Sequence, residues 1–257
     1  MRALRPRKDR LMENRKTALV TGASRGIGEA IARRLAQAGY DLVLTCSASV
    51  DALEKLADDI KGKYGVNCIC RGCDAGSSAD TAKLFEDVFG DGKRSIDLLV
   101  NNAGISYVGL LHEMSDEDWD KVMSTNLFGV FYNCRQAVPL MLKNGSGRII
   151  NISSVWGNAG ASMEAAYSAS KGGVNSLTKA LAKELAPSNI AVNAIACGMI
   201  DTEMNSCFSE EEKAAVINEI PADRVGTPGE VADLVLKVAE APVYMTAQVI
   251  TIDGGWM

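Results

Sequence analysis

The sequence predicts an α/β fold in a single domain, a doubly wound parallel sheet of seven strands with helices on both faces. Two observations carry this reading. Short apolar runs alternate with longer segments of helical pattern along the chain, and each run but the last is followed by a segment long enough to form a helix. That order is the one a parallel sheet wrapped by crossover helices requires. Right-handed crossovers then place helices on both faces.

The seven runs are TALV (17–20), DLVLTC (41–46), VNCIC (66–70), IDLLVN (96–101), RIINIS (148–153), IAVNAIA (190–196) and QVITID (248–253). Between them, Ile27, Ala30, Ile31 and Leu35 follow helical spacing after the first run, and Ala166 to Leu185 is a long segment free of proline until Pro187. No repeat, low-complexity tract or interdomain linker interrupts the pattern. At 257 residues the chain can bury an ample core as one unit. Apolar residues make up 47% and charged residues 23%, and no apolar run approaches the roughly 18 residues of a membrane span. A soluble protein with no membrane association is expected.

The net charge of −5 hides an asymmetry: residues 1–11 carry Arg2, Arg5, Arg7, Lys8 and Arg10 against Asp9, so the remainder stands near −9. That balance does not favour nucleic acid as a partner. The basic head lacks the apolar centre of a secretory signal, so residues 1–11 are expected to be a disordered tail, with Met12 an alternative start and residues 12–257 the folded domain. Seven cysteines are an odd number scattered through strand-like segments, which suits a reducing compartment, the cytoplasm. Cys68, Cys70 and Cys73 lack the paired spacing of zinc sites and His112 is the only histidine, so no metal is expected and these read as buried strand thiols.

TGASRGIG (21–28) joins the first strand to the first helix. Gly22, Gly26 and Gly28 fall where the backbone must turn, approach a ligand and pack a helix on the sheet, and Ser24, Arg25 and Ile27 complete a diphosphate cradle of bare N–H groups at the helix start. The fold is therefore Rossmann-type. NAD sites of this kind place an acid after the second strand; here that point reads Thr45-Cys46-Ser47, and Asp41 lies at the opposite end of the strand. With Arg25 in the loop and Ser47 able to donate to a phosphate, the expected cofactor is NADP(H).

YSASK places Tyr167 and Lys171 four apart on one helix face, and Ser154 lies near the carboxyl end of the fifth strand, the edge where such sheets bind ligands. The three supply a proton donor, a charge that tunes it and a hydroxyl that orients a carbonyl. Hydride addition to a ketone forms an alkoxide that must be protonated as it forms. A tyrosine with an ordinary pKa of about 10 needs help, and lowering that value by about three units takes roughly 4 kcal/mol of differential stabilisation.

With these residues the chain resembles the short-chain dehydrogenase/reductase family, from Lys16 to the DGGW at 253–256. The resemblance rests on TGASRGIG, NNAG (101–104), Asn126 in STNLFGVF, Ser154 in ISSVWG, Tyr167 and Lys171, with Ser154 thirteen residues before Tyr167. It implies Tyr167 as general acid, Ser154 as carbonyl orienter, Lys171 as ribose binder and tuner of the tyrosine, and Asn126 as holder of a relay water. It further implies Asp74 and Ala75 beside the adenine, Asn102, Ala103 and Gly104 along the cofactor trough, and Ile200 and Thr202 at the nicotinamide amide. A homotetramer is implied as well. For Asn126 and Asp74, satisfying helix backbone and capping a turn remain open alternatives.

Within the family the chain is similar to 3-oxoacyl-[acyl-carrier-protein] reductases, yet the places where those enzymes tend to carry carrier-docking arginines read Gly145 and Ser188. SVWGNAGASMEAAYSASKG and EIPADRVGTPGEVAD are similar to reductases of a 5-aminopentanone group on elongation factor P, and hydroxysteroid dehydrogenases are a third resemblance that Trp156, Met163, Met199 and Met204 would suit. Cys197 stands where the family pattern has proline, and is expected to be a small neutral lining residue. His112 is expected in a solvated loop before a helix capped by Ser115.

Overall fold

A computed structural model of the chain describes residues 15–205 and 208–257; the basic head, Met12 and Cys207 lie outside them. Seven strands form one parallel sheet: β1 (Thr17–Val20), β2 (Asp41–Cys46), β3 (Cys68–Gly72), β4 (Leu98–Asn101), β5 (Gly147–Ser154), β6 (Ile190–Cys197) and β7 (Val249–Ile252). Their order is β3-β2-β1-β4-β5-β6-β7. The chain winds outward from β1 through β3, then crosses back to β4 and winds the other way. The carboxyl ends of β1 and β4 thus flank the point where the winding reverses, where open α/β sheets form their ligand crevice.

Nine helices among the described residues make the connections: α1 (Gly26–Gln37), α2 (Val50–Tyr64), α3 (Ser78–Phe89), α4 (Asp116–Met123), α5 (Gly129–Asn144), α6 (Trp156–Ala159), α7 (Ala165–Leu185), α8 (Glu210–Glu219) and α9 (Pro228–Glu240). No helix among the described residues is long and apolar enough to cross a membrane. Strand side chains alternate between two cores. Ala18, Val20, Leu42, Leu44, Val100 and Ile195 face α1, α2 and α9. Leu19, Val43, Leu99, Ile149 and Val192 face α3, α5 and α7. A sheet buried on both faces explains why the sequence shows continuous apolar runs instead of a polar–apolar alternation.

The strand limits shift slightly from the apolar runs. β3 begins at Cys68, two residues later than VNCIC suggests, because Asn67 is held in the preceding turn: its N–H and its side-chain amide donate to the two carboxylate oxygens of Asp41 at 2.8 and 2.9 Å. Cys68 is buried and Cys70 half-buried within β3, while Cys73 is buried just past its end, so the expectation of buried strand thiols holds in full only for Cys68.

A buried polar chain ties the centre of the sheet to α7. The Asn101 amide donates to Asn151 Oδ1, the Asn151 amide donates to Thr178 Oγ1, and the Thr178 hydroxyl donates to the Val174 carbonyl, each at 2.8 Å. Buried polar groups are costly unless bonded, so a chain of this kind specifies one alignment of its members.

Candidate active site

At the β1–α1 turn, Gly22 adopts φ +64, and a Cβ there would lie 2.8 Å from Ala103 Cα. A Cβ on Gly28 would lie 2.2 Å from the Gly22 carbonyl oxygen. Both positions therefore exclude any side chain, and the strand-to-helix turn closes tightly beneath the amino end of α1. Arg25 at the N-cap of α1 makes no side-chain capping bond, which leaves the first-turn N–H groups facing outward. Such a turn is shaped to accept a diphosphate.

β4 buttresses the cradle. The Asn102 side-chain amide donates to the carbonyls of Thr21 (2.9 Å) and Gly22 (3.0 Å), while the backbone N–H groups of Asn102 and Ala103 donate to Thr21 Oγ1, each at 3.0 Å. Thr21, to which the sequence reading gave no role, is the joint between the two loops. Asn102 thus ties the loop after β4 to the glycine turn. Opposite, a Cβ on Gly26 would sit 3.4 Å from Thr202 Cγ2, which brings the segment after β6 over the glycine loop. Ile200 is buried and Thr202 half-buried in that segment.

The remaining cofactor candidates ring the same edge. Ser47 is exposed just past β2, and no carboxylate stands there, since Asp41 is at the far end of the strand bonded to Asn67. Ser24 is half-buried and Ile27 points partly outward from α1. The Arg25 guanidinium is exposed and meets Glu203 at 2.7 Å. Asp74 accepts from the Gly76 N–H at 2.9 Å, the turn-capping alternative, and Ala75 is buried beside Gly129.

The second half of the site hangs from β5, α7 and the segment before α5. Ser154 closes β5, is buried, and accepts from the Trp156 N–H at 3.2 Å while hydrogen-bonding the Tyr167 hydroxyl. Lys171 is only 4% exposed; its ammonium donates to the Ile152 carbonyl at 2.9 Å and lies 5.6 Å from the centre of the Tyr167 ring. Burial lowers the Lys171 pKa from 10.5 to about 8. Burial also pushes the Tyr167 phenol well up, and its bond to Ser154 opposes that shift.

Asn126 sits in a π-helical stretch, Ser124–Phe128, between α4 and α5. Its oxygen accepts from the Ile105 N–H at 2.8 Å, and its amide donates to the Ile105 carbonyl at 2.9 Å and to Ser170 Oγ at 3.0 Å. It thus satisfies the loop after β4 and not its own helix. A Cβ on Gly104 would lie 3.3 Å from Asn126 Oδ1 and 3.4 Å from Lys171 Nζ, so glycine there lets the loop approach both groups.

The glycine cradle, the β4 loop and the Ser154–Tyr167–Lys171 group share one edge of the sheet. The model of the family described as short chain dehydrogenase matches residues 16–213. The chain belongs to the short-chain dehydrogenase family. It is 43% identical over 243 residues to the 3-oxoacyl-[acyl-carrier-protein] reductase FabG of Aquifex aeolicus, covering 93% of this chain and 96% of that protein. It is 38% identical to the uncharacterized oxidoreductase YmfI of Bacillus subtilis, covering 94% and 98%. Among solved structures, a provisionally assigned gluconate dehydrogenase of Agrobacterium tumefaciens superposes with TM-score 0.89 at 32% identity, covering 96% of this chain and 97% of that one. As a family member the chain is an oxidoreductase acting on CH–OH/C=O groups with a nicotinamide cofactor, and the close-approach glycines at 22 and 28 suit that cofactor's diphosphate.

Two further residues of this dehydrogenase escaped the sequence reading. Glu164 is half-buried and accepts from Ser106 Oγ at 3.0 Å, on the same side of the site as Trp156. Ser106 lies just past NNAG, and Glu164, although inside SVWGNAGASMEAAYSASKG, carries no spacing signal of its own. Cys197 ends β6 opposite Ser154 in the sheet register, is 5% exposed within the core, and burial pushes its thiol up to about 12, so it is a small neutral group. His112 stands exposed in a turn before α4, whose N-cap is Ser115.

Proposed function

We propose that this chain reduces a ketone to a secondary alcohol with NADPH, and the observation that carries the proposal is the buried Lys171 ammonium beneath the ring of a Tyr167 whose hydroxyl meets Ser154. The cofactor supplies a hydride to the carbonyl carbon when bound. Gly22, Ser24, Arg25, Gly26, Ile27 and Gly28 hold its diphosphate end, Asp74 and Ala75 border the adenine, Asn102, Ala103 and Gly104 wall the trough, and Ile200 and Thr202 meet the carboxamide.

Ser154 donates to the substrate oxygen and orients it. Tyr167 gives that oxygen its phenolic proton as the alkoxide forms. Lys171 stabilises the resulting phenolate and reaches the ribose hydroxyls. Asn126 spends its side chain on Ile105 and Ser170, so it would hold a relay water through its main chain. NADPH over NADH is supported by Ser47 at the end of β2, where a carboxylate would repel a 2′-phosphate, and by the exposed Arg25 at the same edge.

The name of the Aquifex relative makes a 3-oxoacyl thioester the leading substrate. A second reading, the 5-aminopentanone group on elongation factor P, is supported by Gly145 and Ser188, which leave the two carrier-docking positions uncharged. The reading includes a homotetramer in the cytoplasm; Phe128 and Phe131, 45% and 44% exposed, support an assembly that covers them.

Purified protein should oxidise NADPH when given an acetoacetyl thioester. Tyr167→Phe should lower that rate by about 100-fold or more while NADPH still binds. Binding of NADPH by the wild-type chain with no turnover of thioesters, steroids or amino ketones would defeat the proposal.

A further inference from the structure

Between Tyr167 and Lys171 in YSASK stands a hydroxyl that the reduction chemistry does not use. Ser170 is completely buried, on the side of α7 turned toward the π-helical stretch Ser124–Phe128. Its hydroxyl donates to the Tyr167 carbonyl at 2.7 Å, and the same oxygen accepts from the Asn126 side-chain amide at 3.0 Å. A serine hydroxyl has one proton and two lone pairs. Committing the proton to Tyr167 leaves the oxygen as a fixed acceptor for Asn126.

Asn126 depends on that acceptor. Its amide has two N–H donors, one given to the Ile105 carbonyl at 2.9 Å and the other to Ser170, while its oxygen accepts from the Ile105 N–H at 2.8 Å. The residue is 1% exposed, so a donor that loses its partner there is costly. The contacts close a circuit. A Cβ on Gly104 would reach both Asn126 Oδ1 and Lys171 Nζ, Ile105 beside it holds Asn126, Asn126 holds Ser170, and Ser170 grips the turn of α7 that carries Tyr167 and Lys171. Removing the Ser170 oxygen opens this circuit at its joint to α7. The helix itself tolerates the change, because alanine is a better helix former than serine.

Resting on the ketone-reductase reading, we propose that Ser170 is a positioning residue, whose hydroxyl sets Asn126, and with it the relay water on the Asn126 main chain, against the Tyr167–Lys171 turn. In each turnover the phenolic O–H of Tyr167 breaks as the alkoxide O–H forms, and the phenolate must regain a proton from water before the next. A relay whose holder drifts from the donor returns that proton more slowly. Hydride transfer, which the cofactor and Ser154 align, does not pass through this joint.

The test compares wild type with Ser170→Ala in two ways. With NADPH and an acetoacetyl thioester, kcat should fall by about tenfold while KM for NADPH stays nearly unchanged, and the solvent deuterium isotope effect on kcat should grow as proton return becomes the slow step. In amide hydrogen exchange, the Ile105 N–H, which Asn126 accepts, should exchange about tenfold faster. Ser170→Thr keeps the hydroxyl and should restore most of both. Wild-type kcat in Ser170→Ala, an unchanged isotope effect, unchanged exchange at Ile105, or a fall in kcat matched by an equal loss of NADP+ affinity overturns the proposal. If wild type reduces no ketone, the reductase reading fails. Exchange at Ile105 then still decides the matter: faster exchange in Ser170→Ala upholds the anchoring of Asn126 by Ser170, and unchanged exchange rejects it.

Discussion

The Lys171 ammonium donates to the Ile152 carbonyl at 2.9 Å, a bond that runs from α7 back to β5 and fixes the charge under the Tyr167 ring. Among the described residues no carboxylate offsets its burial, which draws its pKa from 10.5 down to about 8.

This burial has a thermodynamic signature. Below about pH 8 the ammonium is charged in both folded and unfolded chains, and the folded chain bears the full penalty. Between about 8 and 10.5 the unfolded chain holds the extra proton, so stability rises with pH and the penalty, on the order of 3 kcal/mol, disappears. Lys171→Met lacks the penalty at every pH. Its stability relative to wild type should therefore fall as pH rises through that window in denaturant titrations. A difference that stays flat with pH would show that the ammonium is not buried in its charged form.

Gly104→Ala places a methyl carbon 3.3 Å from Asn126 Oδ1 and 3.4 Å from Lys171 Nζ. Both side chains must retreat by a few tenths of an ångström, and a shift of that size in a reacting geometry should lower kcat by about tenfold. Thermal stability should change little by comparison. Wild-type kcat in this variant would mean that the loop does not set the position of Lys171.

Arg25 is exposed and pairs with an equally exposed Glu203, a contact of little intrinsic value. A 2′-phosphate would compete for the same guanidinium. Arg25→Ala should raise KM for NADPH by about tenfold and leave KM for NADH nearly unchanged. Equal effects on both cofactors would remove Arg25 from phosphate recognition.

With its thiol pushed up to about 12, Cys197 is protonated at any working pH. Cys197→Ala should keep kcat within about threefold of wild type, and thiol reagents should act slowly on a side chain with 5% exposure. His112, which faces solvent before α4, should likewise tolerate alanine with unchanged turnover and melting temperature. Loss of activity in either variant would show that its side chain takes part in the reaction.

Continuous apolar runs made all seven strands legible; the inner strands β1, β2, β4, β5 and β6 are covered on both faces and buried along nearly their whole length, while the edge strands β3 and β7 are only partly buried. Their ends were less so: nothing in VNCIC announces that Asn67 is pulled out of the strand by Asp41. TGASRGIG revealed its turn because Gly22 and Gly28 tolerate no side chain. Thr21, Ser106 and Glu164 were harder to foresee, since their roles come from contacts between segments far apart in the chain. Asn126 lay between the two cases. Its position was visible, but its hydrogen-bond partner was the Ile105 backbone and not the helix around it.

The Asn101–Asn151–Thr178 chain has a mechanical meaning for the chemistry at the other end of α7. Apolar packing alone would let a helix slide or roll on a sheet at modest cost, and one residue of slippage would swing Tyr167 and Lys171 through about 100°. The Asn151–Thr178 bond, the link of that chain that spans strand and helix, does not survive such a slip. It acts as an index pin about two turns from Lys171 and three from Tyr167: the polar centre of the core sets the angular position of the proton donor, so a substitution at Asn151 would be felt first as mis-aimed catalysis and only then as lost stability.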